Sequence, residues 1–194
     1  MGCWRRFLSR SRGVLQIRRV AYPSAASLLF SAGLLVGGWA EAGETARYDA
    51  DTASSHLSVE GTSNVHDWTV EGRIIYGELI FHATDPSSLW MPGRTSARPL
   101  GVTVHVEIPV DSLMSDNRGL NRRMYEALQA DAHPMITYRL QTAELQDDRA
   151  VDAEGAGGSL TITTRGVLMV AGVERTVDIP MQVTRRAGGG LEVT

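Results

Sequence analysis

The chain holds a single cysteine, Cys3, and no lysine among its 194 residues. One cysteine, placed in an arginine-rich front that reads as removable, leaves the remainder without a disulfide or a thiolate metal site. All 19 basic residues are arginines, a bias that carries no functional reading. Gly-x-Ser-x-Gly, Ser-x-x-Lys and a glycine-rich phosphate loop are missing, and with them the familiar signatures of acyl and phosphoryl transfer. The one long apolar run, residues 24–39, counts 16 residues and includes three glycines. That is fewer than the roughly 20 a membrane-spanning helix needs.

The surroundings of that run have the order of an export leader. Arg5, Arg6, Arg10, Arg12, Arg18 and Arg19 precede it, no acid occurs before Glu41, and Ala40-Glu41-Ala42 offers small residues about a cleavage point. Residues 1–42 are therefore expected to be a signal peptide. Residues 43–194 are then the folded domain, periplasmic or secreted, with no stable membrane span after cleavage. Neither Arg-Arg pair sits in a twin-arginine context, which leaves the export route open. Residues 43–194 carry 13 basic and 21 acidic residues, a formal charge of −8. Such an acidic domain argues against a nucleic-acid partner. Its 152 residues can bury a sizeable core without covalent staples.

The domain is organised around Glu60-Gly-Thr-Ser-Asn-Val-His-Asp-Trp-Thr-Val-Glu-Gly72. A strand from His56 breaks at residues 61–64, where Gly, Ser and Asn let the backbone reverse. Apolar and polar residues alternate again from Val65 to Tyr76, and Gly77 marks the expected bend. Trp68 needs a deep apolar wall and a partner for its indole N–H. The clearest strand is 101–111, where Val102, Val104, Val106, Ile108 and Val110 share one face by period two. Pro109 near its end points to an edge or a terminus. The period then changes. Ser115-Asp116 can cap a helix, and Leu120, Met124 and Leu128 recur every four residues, giving four turns at most before Pro134.

Strand patterning returns over 135–145, with Ile136, Tyr138 and Leu140 inward. An acidic, glycine-rich loop covers 146–158. Residues 160–170 and 173–184 read as a hairpin about Ala171-Gly172, the second arm turning Val177, Ile179, Met181 and Val183 to one side. Gly188-Gly-Gly190 turns the chain into a further strand that stops at Thr194, so the last strand is expected to be incomplete. Eight or nine strands, each with one apolar face, make an antiparallel sheet wet on one side. A twisted sheet of that size curls or closes. A barrel of about eight strands follows, able to fill its interior with side chains or hold one small ligand. A two-sheet sandwich is the alternative.

Several ordered segments resemble the YceI-like family. They are Tyr48-Asp-Ala-Asp51, Gly61-Thr-Ser-Asn-Val-His-Asp-Trp68, Leu120-Asn-Arg-Arg-Met-Tyr-Glu-Ala-Leu128, His133-Pro-Met-Ile-Thr-Tyr138, Gly166-Val-Leu-Met-Val-Ala-Gly-Val-Glu-Arg175 and Val177-Asp-Ile-Pro180. The resemblance runs from Ala46 to about Thr184. It implies an all-β fold: an antiparallel, eight-stranded, lipocalin-like barrel with one short helix capping an end. It also implies an exported protein whose lumen holds an isoprenoid or similar lipid chain; with the missing catalytic motifs, a non-enzymatic binding protein is expected. The Ser-Asn-Val-His-Asp-Trp segment belongs to a branch of the family whose ligand the resemblance does not name.

The candidate lining is Trp68, Val70, Phe81, Val104, Val106, Met124, Leu128, Ile136, Tyr138, Leu140, Ile179 and Met181. Each of these could instead pack against the others and fill the core. Arg118 and Arg122 are the candidates for an anionic head group, since guanidinium suits phosphate; a solvated helix face is the plainer reading. No cofactor and no metal are expected. His56, His66, His82, His105 and His133 have no compact ligand spacing, and His66 and Asp67, as neighbours on a strand, point apart. Two rivals stand beside the lipid carrier: a structural or stress-related periplasmic protein with a filled core, and a metal-dependent enzyme centred on His66. The oligomeric state is open, a dimer included.

Overall fold

The structure, a computed structural model, describes residues 10–19, 45–62, 67–82, 99–146, 159–186 and 188–194. Among these, the strands are β1 (Arg10–Arg19), β2 (Ala46–Ala50), β3 (His56–Thr62), β4 (Asp67–Gly72), β5 (Tyr76–Phe81), β6 (Val102–Pro109), β7 (Leu113–Met114), β8 (Met135–Leu145), β9 (Ser159–Val170), β10 (Val173–Arg185) and β11 (Leu191–Val193). One helix, α1 (Arg118–Leu128), interrupts them. All pair antiparallel in one large sheet of order β11-β10-β9-β8-β6-β5-β2-β1-β3-β4-β7, with a further pairing between β11 and β1. The sheet curls into a half-barrel with its apolar side inward.

Eleven strands replace the eight or nine expected because residues 10–19 add β1 and Leu113–Met114 adds β7, and three long strands are each interrupted. The turn 51–55 separates β2 from β3, residues 73–75 separate β4 from β5, and a 3-10 turn, Val110–Ser112, separates β6 from β7. The interruptions lie at one level. Leu57 faces Gly72, which faces Leu113, above the breaks; Asp49 faces Glu78, and Tyr76 faces Glu107, below them. The bend predicted at Gly77 thus falls at 73–75 instead, and Gly77 pairs with Val106 inside β5. Asp51 holds the first break: its carboxylate accepts from Ala53 N and Ser54 Oγ, and its carbonyl from Ser55 N. Pro109 ends β6, as a residue without an N–H should.

Helix α1 spans 11 residues, three turns, within the four expected at most. Its N-cap is Asn117, not Ser115 or Asp116. Asn117 sits in extended backbone, and its Oδ1 accepts from Gly119 N at 2.9 Å and Leu120 N at 3.1 Å. Ser115 is otherwise engaged, its hydroxyl donating to Asn121 Oδ1 at 2.7 Å. Tyr125 donates its hydroxyl to Leu113 O at 2.7 Å and so ties the helix to β7.

The core has two separate clusters on the concave face. Under the helix lie Val70, Val110, Leu113, Met124 and Leu128, with Trp68, Ile108, Ile136 and Val170 packed beside them. At the far end lie Ala46, Tyr48, Phe81, Ala143, Leu160, Ile162, Val183 and Leu191. The β9–β10 hairpin turns on two residues, Ala171 (φ 50°) and Gly172 (φ 73°), as its pairing and alternation predict. Residues 63–66, His66 among them, and most of the acidic loop fall outside the described residues.

Residues 10–19 were expected to lie apart from the domain, in the leader. In the structure their backbone runs as β1, antiparallel to β2 and β3 on one edge and to β11 on the other.

Candidate functional site

Alternation fixes which residues share the concave face, and burial divides that face into three layers. On β6, Val102 belongs to the far cluster and Ile108 to the helix-end cluster; Val104 and Val106, on the same face between them, are only half-buried. On β10, Val183 is packed in the far cluster, whereas Met181, Ile179 and Val177 stay half-buried. On β9, Leu160 and Ile162 are buried and Leu168 is half-buried. Both ends are therefore closed by side chains, and the waist between them is apolar and incompletely covered.

One polar chain crosses this waist. Tyr138, buried at 7% exposure, donates its hydroxyl to Thr164 Oγ1 at 3.1 Å, and Thr164 donates onward to Ile179 O at 2.8 Å. Two buried polar groups thereby satisfy each other, as an apolar interior demands. Burial raises the Tyr138 pKa above its ordinary value, the hydrogen bond with Thr164 works against that, and the Asp178 charge adds to the rise. Gly166 makes room for the ring: a Cβ there would stand 2.5 Å from Tyr138 Cζ and 2.6 Å from Arg139 O.

The candidate lining residues fall in different places. Trp68, Val70, Met124, Leu128 and Ile136 belong to the helix-end cluster, and Phe81 and Leu140 to the far one. Val104, Val106, Tyr138, Ile179 and Met181 lie at the waist. Trp68 lies flat across Gly61, its cross-strand partner, where a Cβ would fall within the indole. Arg118 and Arg122 are on the exposed face of α1, opposite Met124 and Leu128, and Arg122 reaches Glu126 at 4.0 Å one turn on. Sequence reasoning passed over Thr164 and Leu168, although both share the period-two face of Leu160 and Ile162.

Other polar groups lie apart from the waist. Arg47, Asp49, Tyr76, Glu78, His105 and Glu107 line a shallow open cleft of about 200 Å³, where Arg47 bridges Asp49 at 3.1 Å and Glu78 at 3.0 Å. His82 Nε2 and Thr103 Oγ1 are 2.8 Å apart, and His133 packs against the backbone at Gly172. Among the described residues no group of three His, Cys, Asp or Glu side chains converges as metal ligands, and no helix is long and apolar enough to cross a membrane.

Comparison with known proteins gives a family match to the YceI-like domain over residues 48–194. No curated protein matches the chain. Among solved structures, the crystal structure of Burkholderia cenocepacia BcnA is similar, at 17% identity over 67% of each chain and a TM-score of 0.44.

Proposed function

This chain belongs to the YceI-like family, and from that premise we propose that it is an exported, non-enzymatic carrier of an isoprenoid or similar lipid chain. Members of the family generally bind polyisoprenoid or other lipid chains, which supports a binding role. The curled sheet acts as a lipocalin-like barrel, with seven staves from residues 46–193 when each interrupted pair counts as one, and an eighth where residues 10–19 are in place. Residues 1–42 direct the chain out of the cytoplasm to the periplasm or beyond.

The observation that carries this reading is the waist. Val104, Val106, Val177, Ile179 and Met181 turn apolar side chains inward yet stay half-buried, while the clusters on either side are packed. Apolar surface in that position is a place for hydrocarbon. Each methylene buried there contributes about 0.8 kcal/mol, so ten contribute roughly 8 kcal/mol before ordering costs. The Tyr138–Thr164 pair gives the waist one polar spot, spent internally rather than aimed at a reacting group.

Mass spectrometry of an organic extract of the purified protein is expected to show a lipid with an unbranched or isoprenoid tail. Ile179→Trp, which fills the waist opposite Thr164 rather than opposite a member of either cluster, is expected to cut uptake of a fluorescent isoprenoid analogue at least tenfold while the melting temperature holds within a few degrees. A clean extract together with no uptake by the unaltered protein would reject the carrier and leave the filled-core reading.

A further inference from the structure

The place of β1 in the sheet carries an inference independent of the lipid reading. β1 has neighbours on both edges, and no short turn links it to any of them. On one edge Arg10–Val14 pairs with β3 and Ile17–Arg19 with β2; on the other, Leu15–Ile17 pairs with β11. Ile17 stands in register between Ala50 and Leu191, two residues of the far-end core. Leu15 faces Val193, while Ser11 and Gly13 face Val59 and Leu57. At the other parity Arg10 stands in register with Glu60, Arg12 with Ser58, Val14 with His56, Gln16 with Glu192 and Arg18 with Asp49. The sequence of residues 10–19 thus places Ser11, Gly13, Leu15 and Ile17 at one parity of the seam, with Arg19 opposite Tyr48 at its end, and mostly basic or polar residues at the other.

We propose that the seam between β11 and β2–β3 is a strand-accepting site, and that Arg10–Arg19 is its resident ligand. The class of ligand is an extended peptide that places aliphatic residues beside Ala50 and Leu191 and arginines beside Asp49 and Glu60. Main-chain hydrogen bonds supply the affinity and alternation supplies the register, as in strand addition generally. Without an occupant, β2, β3 and β11 each present unpaired N–H and C=O groups, an edge that recruits other strands. The same ten residues cannot be both a strand of the sheet and an extended substrate of an export apparatus. Occupancy of the seam and processing of the leader are therefore alternatives for one chain.

The test uses the full chain. Hydrogen exchange read by mass spectrometry is expected to show residues 10–19, 46–50, 56–60 and 191–193 protected together. In Ile17→Pro, which removes an N–H from the middle of β1, those segments are expected to exchange about tenfold faster or more, with β8 and β9 unchanged. A synthetic peptide of residues 10–19, added to that variant, is expected to restore protection at 46–50 and 191–193, and a scrambled peptide is not. In a Cys3→Ser background, Gln16→Cys with Glu192→Cys is expected to form a disulfide on oxidation, and Arg12→Cys with Glu192→Cys, four residues out of register, is not. The cysteine pairs decide the matter if Ile17→Pro fails to fold. Free-peptide exchange over residues 10–19, or cross-linking indifferent to register, would overturn the site. So would failure of the peptide to restore protection. Lipid uptake is a separate readout, so the seam and the carrier can fail independently.

Discussion

The two walls of the half-barrel are built differently. The wall of β8, β9 and β10 is made of strands of 11, 12 and 13 residues, two of them joined by a two-residue turn. The opposite wall, from β2 to β7, is made of strands interrupted at one level. The interruptions let the upper pieces bend over and meet α1: Leu57, Trp68, Val70 and Leu113 all pack in the helix-end cluster. The other wall has no such break: β9 and β10 keep one register from Ser159 to Val170, and β8 slips against β9 once, between Leu140 and Thr142. Leu168, Ile179 and Met181 stay half-buried on it. One wall closes the end, and the other carries the waist.

The largest effect is expected where the helix meets the interrupted wall. Met124 is 5% exposed among Val70, Val110 and Leu113, and Met124→Ala should cost about 3 kcal/mol through lost burial and a cavity. If the walls are as distinct as they look, hydrogen exchange should rise first in β3, β4 and β7, with β9 and β10 following only on global unfolding. Uniform loosening of both walls would erase the distinction. In the other wall, Gly166→Ala should cost about 2 kcal/mol by overpacking, because the new Cβ meets both the Tyr138 ring and the Arg139 carbonyl. Chemical denaturation of both variants measures the two losses on one scale.

Much of this was legible in the chain. Period-two alternation over Val102–Pro109 and Val173–Arg185 named the inward residues of β6 and β10, and the four-residue recurrence of Leu120, Met124 and Leu128 named the buried side of α1. The level of the interruptions was not legible. Arg73-Ile74-Ile75 continues a strand-like run of β-branched residues, and only the partner strands show that the ladder stops there. Nor was the cap: three polar residues in a row could each accept, and Asn117 does so because Ser115 is held by Asn121. The pairing of residues 10–19 was hidden for a different reason. Their arginine content reads as a leader, and strand pairing is not visible in composition. Whether a side chain lines a space or fills it depends on the distance between walls, and no pattern within one strand encodes that distance.

A smaller effect is expected from Tyr138→Phe. Losing the donor to Thr164 should cost about 1 kcal/mol, since Thr164 keeps its own bond to Ile179 O. The alkaline limb is the sharper readout. Tyr138 has a folded-state pKa above its ordinary value of 10.0, chiefly through burial. The folded chain therefore holds this proton more tightly than the unfolded chain. The resulting stability is complete below pH 10, and it drains away as pH rises through the unfolded value towards the folded one. Tyr138→Phe should flatten the fall of stability with pH in that window and leave neutral and acid behaviour as they were. An identical alkaline slope in both proteins would place the ring in contact with water, and the waist would then be wetter than the uninterrupted wall allows.

The smallest effect is expected at the tip of the uninterrupted wall. The turn between β9 and β10 needs positive φ at both central residues, and its first is Ala171 at 50°. A left-handed alanine is strained by its Cβ, whereas asparagine tolerates that region and is favoured at this place in a two-residue hairpin. Ala171→Asn should therefore stabilise the protein by about 0.5 kcal/mol, read as a rise in denaturation midpoint with an unchanged slope. The gain should appear as slower unfolding if the hairpin forms late, and as faster folding if it nucleates the wall. Adjacent strands joined by so short a turn need little loop closure, so the faster-folding outcome is the expected one. It would make the uninterrupted wall the part of the sheet against which the interrupted one is laid.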